Sequence, residues 1–311
     1  WLPWRAIFFI NVPVGLVAQY LIHRHMPDYH GDASRPLDLV GLILFGSGAA
    51  LLSWLLEIFG EHALDFTSGI LLSGLAAALL LGYGWHAQRS PYPLLRLALF
   101  RIRTFRVSVV GGFITRLGIG GMPFMLPLLY QIGLGLPAWQ SGLLIMPSAA
   151  AAMTMKLIST HLLARFGFRR VLVVNTVLIG LTITAFSRVV PGTPTAAIVG
   201  LSLLQGLFNS LQFSSMNSMA YSDIRPEDSS MASSIASSMQ QMSMSFGLAC
   251  ASLVVAAYRG EQPQTDRAAV ISALHHTFLT MGALTILSSL SFWTLRPDDG
   301  ENVSKGAGGE G

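Results

Sequence analysis

Nine runs of about twenty predominantly apolar residues constrain this chain more than anything else in it, because that is the length a helix needs to cross a bilayer. They cover residues 4–22, 38–58, 67–85, 105–130, 139–158, 171–189, 196–219, 231–258 and 272–295. Only 11% of the residues are charged, against about 25% in a soluble domain. The fold class that follows is an all-α polytopic membrane protein. Its single cysteine, Cys250, excludes a disulfide framework and a cysteine-based metal site. The net charge of +4 does not mark a nucleic-acid binder, since the basic residues lie in short loops and not on one soluble face.

Those loops set the expected orientation. Arg24, Arg35, Arg89, Arg96, Arg101, Arg103, Arg106, Lys156, Arg165, Arg169, Arg170, Arg225, Arg296 and Lys305 fall on one side, in loops 23–37, 86–104, 159–170 and 220–230, their flanks and the tail. Arg5, Arg188, Arg259 and Arg267 fall on the other. By the positive-inside rule the first side is cytoplasmic, and so is the C-terminus. The opening WLPWRAIFFINVPVGL has no Met, no basic n-region and no small-residue cleavage site, so it reads as a helix inside a longer protein and not as a signal peptide. Residues 296–311, RPDDGENVSKGAGGEG, read as a disordered tail.

In PLLRLALFRIRTF, Arg96 and Arg103 are seven apart, with Leu95, Leu99 and Ile102 opposite. This spacing predicts a short helix on the inner leaflet, or simply a topology signal.

Three stretches resemble one family. WRAIFFINVPVGL (4–16), PLLRLALFRIRTF (93–105) and LPLLYQIGLGLPAWQSGLLIMP (126–147) are similar to segments of the fourteen-span drug:proton antiporters of the major facilitator superfamily. The resemblance implies a partial major facilitator fold of nine transmembrane helices. Residues 1–22 would be the last helix of the N-terminal bundle, 23–37 a cytoplasmic linker and 38–85 an inserted helix pair. Residues 86–104 would be a cytoplasmic loop, 105–295 the C-terminal six-helix bundle and 296–311 the cytoplasmic tail. The first five helices, the rest of the N-terminal half, would lie upstream. LLARFGFRRVL (162–172) resembles the superfamily's cytoplasmic loop motif through Arg165, Gly167, Arg169 and Arg170, with Ala164 where the family often has Asp. In SMQQMSMSFGLA (238–249), Gln240, Gln241, Met242 and Ser243 replace the usual Arg-Gln-x-Gly.

Candidate pathway residues come from polar positions within the spans. Ser202, Gln205, Asn209 and Gln212 recur at helical spacing on one face of 196–219. They can line a cavity, or bond neighbouring helices at about 0.6 kcal/mol per contact. Ser234, Ser237, Gln241 and Ser245 follow the same spacing in 231–258, as expected of close helix packing. Met239, Met242 and Met244 add polarizable thioethers suited to a promiscuous pocket. Gly-rich 111–121 and Pro123, Pro127 and Pro147 are points at which helices can bend. The adjacent His275 and His276 point to different faces and cannot chelate a metal together, Glu57 reads as a solvated end group, and Lys156 and His161 can snorkel.

Arg116 is the outlier. It sits alone in VVGGFITRLGIGGMPF, with Gly112 and Gly120 one turn to either side. A charge at mid-bilayer costs about 2.5–3.5 kcal/mol on insertion scales. No deeply placed carboxylate is available to offset it, so its counter-charge is expected from the upstream half or from the substrate, or else backbone carbonyls and water satisfy it.

No GxSxG, HExxH, P-loop or aspartate-rich motif is present, so the expectation is a transporter and not an enzyme. It is expected to lie in the bacterial inner membrane and to use a proton gradient with no cofactor and no metal. It would export small lipophilic compounds by rocking two bundles around a midplane cavity. A permease for one metabolite is the runner-up, and a polytopic membrane enzyme a remote third.

Overall fold

The computed structural model describes residues 9, 11–26, 38–61, 66–260, 266–296 and 298–300, with the backbone alone at 56–61 and 66. Arg5, Arg35, Lys305, the side chain of Glu57 and most of the first six residues of WRAIFFINVPVGL lie outside what is described. Every regular element among the described residues is helical. The chain divides into two compact units, 1–37 and 38–311. In the first, helix α1 (Asn11–His25) buries none of its side chains. Its last turn is basic, and Arg24 donates to the Tyr20 hydroxyl at 3.3 Å.

The second unit carries α2 (Leu39–Glu61) and α3 (Phe66–Arg89), which pack against each other. Then come α4 (Arg103–Gly133), α5 (Ala138–Phe166), α6 (Phe168–Ala185), α7 (Thr195–Tyr221), α8 (Ser229–Arg259) and α9 (Arg267–Ser288). Among the described residues seven helices, α3 to α9 with their flanking turns, are long and apolar enough to cross a membrane; α2 contributes a shorter apolar run, Leu39–Leu55.

Most of these spans are regular, but α4 is built in pieces. A π-helical turn at Val107–Gly111 precedes the helix Gly112–Ile119, a break at Gly120–Gly121 precedes Met122–Leu128, and a second π-helical turn closes at Leu129–Gly133. Pro123 and Pro127 have no amide hydrogen to give to the turn before them, which removes rungs from the ladder where the span is already broken. Pro147, by contrast, lies inside an unbroken α5.

Packing within the bundle relies on close backbone approach, as expected where lipid removes the hydrophobic drive between helices. A Cβ on Gly180 of α6 would lie 2.7 Å from the Gly282 carbonyl of α9, and one on Gly282 would lie 2.8 Å from the Gly180 carbonyl. Helices α4 and α8 meet where a Cβ on Gly247 would lie 2.8 Å from the Gly120 Cα. The small-residue face of α8 is therefore Ser243, Gly247 and Ala251, four apart and all buried. The predicted stripe is corrected by this: Ser234, Ser237 and Gln241 are exposed, about 80–140° around the helix from Gly247.

At the arginine-rich end, side chains tie elements together. Asp38, at the start of α2, accepts from the Gly41 amide at 2.8 Å and the Leu94 amide at 3.0 Å, and pairs with His86 at 2.8 Å. Burial pushes its carboxyl up, but those amides and the His86 contact outweigh it and hold the group below the usual carboxylate range. The predicted surface helix over PLLRLALFRIRTF is also corrected. A short 3₁₀ turn, Leu97–Arg101, ends at the extended Ile102, and α4 starts afresh at Arg103. Leu95 and Leu99 are buried as the pattern requires, but the two arginines separate onto different partners, Arg96 on Asp228 at 2.8 Å and Arg103 on Asp299. The second pair also holds Asp299, whose amide donates to the Arg296 carbonyl at 3.3 Å and whose Oδ2 accepts from the Arg296 amide at 2.8 Å; residues 301–311 of the predicted tail lie outside what is described.

Candidate functional site

Arg116 is 8% exposed, and no acidic or hydrogen-bonding partner reaches its guanidinium among the described residues. Helical side chains lean toward the N-terminus of their own helix. Arg116 accordingly runs back over Gly112, whose missing Cβ leaves the room that Nη1 occupies. Its guanidinium carbon stands 5.7 Å from the Phe213 ring centroid, within reach of a cation–π contact. Met216 lies alongside. Gly120, the other glycine of the predicted face, faces α8 instead.

The arginine separates two spaces. A cavity of about 100 Å³ is lined by Thr115, Arg116, Ile119, Asn209, Gln212, Phe213, Met216 and Met244. A smaller one of about 20 Å³ lies nearer the arginine-rich end, among Arg116, Ser108, Asn217, Met239 and Gln240. The wall is a single cation, amides, hydroxyls, thioethers and an aromatic ring. No Asp or Glu occurs between residues 66 and 222, so the arginine's own span and its nearest sequence neighbours supply no counter-ion.

The predicted polar stripe of α7 resolves into different roles. Gln212 lines the larger cavity, but its amide is pinned: Asn175 of α6 donates to its Oε1 at 2.8 Å, and its Nε2 donates to Thr176 Oγ1 at 2.8 Å. Asn209 lines the same cavity and its Oδ1 has no partner among the described residues. Gln205, one turn further along, is buried with neither amide atom partnered there. Ser202 is buried beside the Tyr130 hydroxyl. On α8, Met244 reaches the larger cavity, whereas Gln241 is exposed and lines neither space; its neighbour Gln240 lines the smaller space with Arg116.

Asn175, Thr176 and Phe213 are absent from the sequence reading, and Gln240 enters it only as a departure from the family pattern, not as a pathway residue. Asn175 and Thr176 are a polar pair in an otherwise apolar run, which was the available signal. Phe213 carried none, because an aromatic residue in a membrane span has no distinguishing pattern. The loop-motif residues lie far from the cavity: Arg165 stacks over Phe166, Gly167 turns the chain from α5 to α6 with φ 73°, and Arg169 and Arg170 open α6. The two histidines diverge as expected, His275 to the Val189 carbonyl and His276 to the Ser272 carbonyl.

A sequence profile described as Major Facilitator Superfamily matches residues 1–248 and 109–311. The chain is 36% identical over 304 residues to a Klebsiella pneumoniae (strain 342) protein named "Putative multidrug resistance protein MdtD", covering 96% of this chain and 64% of that one. It is 33% identical to proteins of the same name from Serratia proteamaculans (strain 568), with 96% and 62% covered, and from Escherichia coli O45:K1 (strain S88 / ExPEC), with 97% and 64% covered. The chain thus spans less than two thirds of the length of these curated relatives.

Proposed function

Because the chain belongs to the Major Facilitator Superfamily, a family of multi-pass membrane transporters and not of enzymes, we propose that the whole protein exports small lipophilic compounds in exchange for protons. The finer assignment is to the fourteen-span drug:proton antiporters. The transporter would sit in the bacterial inner membrane with its arginine-rich end and C-terminus in the cytoplasm. It would use no cofactor, drawing on the proton gradient, and would alternate access by rocking one helix bundle against another.

The observation that carries this reading is the cavity at Arg116. A buried cation with no partner among the described residues, set among Asn209, Gln212, Phe213 and Met244, is costly to keep in a purely structural wall. Aromatic and thioether groups accept varied apolar shapes, while the amides and the guanidinium supply hydrogen bonds. The breaks in α4 at Gly120–Gly121 and the two prolines put bending points in the helix that carries Arg116.

The test is dye accumulation in an efflux-deficient strain expressing the whole protein, with and without a protonophore. Lower accumulation that the protonophore reverses is the expected result. Accumulation unchanged in both conditions overturns the reading. Export that persists with the gradient collapsed favours a facilitator.

A further inference from the structure

A further cavity lies away from Arg116. About 380 Å³ lies open at the arginine-rich end, lined by Phe166, Gly167, Arg169, Arg170, Val173, Val174 and Trp293. Neither arginine has an ion-pair or hydrogen-bond partner among the described residues, and no acidic side chain is among those lining residues. Other arginines near this end are engaged, Arg96 on Asp228, Arg103 on Asp299 and Arg165 over Phe166. The first turn of α6 adds to the positive field, since Gly167 has no side chain with which to cap it.

Beyond this mouth, α6 and the end of α9 carry exposed apolar side chains. On α6, Arg170 heads a stripe that continues through Val174 and Leu181, 56% and 52% exposed. On the end of α9 and the 3₁₀ segment Ser289–Thr294, the exposed Leu287, Leu290 and Trp293 are spaced by three, so they line up where i and i+3 eclipse. Two guanidinium groups with no partner among the described residues, sharing one space with Val173, Val174 and Trp293, suit an acidic head on acyl chains. A tryptophan at that boundary fits the level of the lipid headgroups.

We propose that this groove binds an anionic phospholipid, its phosphate held by Arg169 and Arg170 and its chains along Val174, Leu181, Leu287 and Leu290. The proposal rests on the orientation given above, which puts the site in the cytoplasmic leaflet, where acidic lipids attract basic clusters. A lipid source is favoured over a soluble phosphate because the space that holds both arginines is also lined by Phe166, Val173, Val174 and Trp293.

The experiment is native mass spectrometry of the whole protein, released from nanodiscs containing phosphatidylglycerol or phosphatidylcholine. Wild type is expected to retain phosphatidylglycerol preferentially. The double variant R169Q/R170Q should bind it about 30-fold more weakly, the combined effect of two basic residues near an anionic surface, while R169K/R170K should keep most of the binding. Monodispersity and helical circular dichroism show whether each variant has folded; should R169Q/R170Q fail there, Val174→Asp, which leaves both arginines in place, is expected to lower retention instead. Equal retention of both lipids by wild type, or undiminished phosphatidylglycerol on a folded R169Q/R170Q, overturns the proposal. So does displacement of the lipid by excess inorganic phosphate, which would make the groove a free-phosphate pocket. None of these readouts needs transport, so a failed dye assay leaves the lipid site standing, and a failed lipid assay leaves the efflux reading standing.

Discussion

A Cβ added to Gly112 would lie 2.7 Å from Nη1 of Arg116. The glycine is therefore a seat for the arginine, and the two positions act as one unit. Gly112→Val should push the guanidinium out of its place between the two cavities and lower dye export by the whole protein by about tenfold, the factor that about 1.4 kcal/mol of lost binding gives. Arg116→Ala should match it, and Arg116→Lys should retain part of the activity. Wild-type export by both Arg116 variants would remove the arginine from the pathway.

Gln205 and Gln212 share a face of α7 but should respond in opposite ways. Gln205 has no partner for either amide atom among the described residues, so Gln205→Leu is expected to raise the apparent melting temperature. The Gln212 amide joins Asn175 and Thr176, so Gln212→Leu should lower it. A double-mutant cycle on Asn175 and Gln212, read by thermal unfolding in detergent, should give a coupling of about 0.6–1.7 kcal/mol.

The crossing of α6 and α9 depends on Gly180 and Gly282 together. Gly180→Ala or Gly282→Ala alone should destabilise by about 1–3 kcal/mol through overpacking. Because both insert a methyl into one contact, the double variant should cost less than the sum of the singles. Additive losses would show that the two backbones do not share that contact.

Asp38 gives the protein an acid-sensitive tie. Its carboxyl is held below the usual carboxylate range in the folded chain, so the unfolded chain binds the proton more readily. The tie's stabilisation is thus fully present above the unfolded value of about 3.9, and is lost as pH falls through the lower folded value. At neutral pH, Asp38→Asn should speed hydrogen exchange at the Leu94 and Gly41 amides, the two groups the carboxylate accepts from. In wild type the same acceleration should appear only below about pH 4.

Much of this protein was set by the sequence alone. Apolar run length dictates membrane helices, because a bilayer leaves the backbone few other ways to satisfy its polar groups. The oddity of Arg116 was equally plain there, since a lone cation among glycines stands out in one dimension. The tertiary structure decided which polar residues share a space. Helical spacing put Gln205, Asn209 and Gln212 on one face, but only the approach of α6 could show that Asn175 and Thr176 take up Gln212. Gln241 and Gln240 are neighbours in sequence, about 100° apart around the helix, so which of them shares a space with Arg116 depends on how α8 is rotated. Gly247 fixes that rotation by meeting Gly120. Arg96 and Arg103 likewise share a helical period on paper, but the chain turns at Ile102, and two distant acids, Asp228 and Asp299, hold them apart. Periodicity is a property of one helix; a cavity, an ion pair and a lipid groove are properties of several, and their positions are set by how closely glycines let those helices pack.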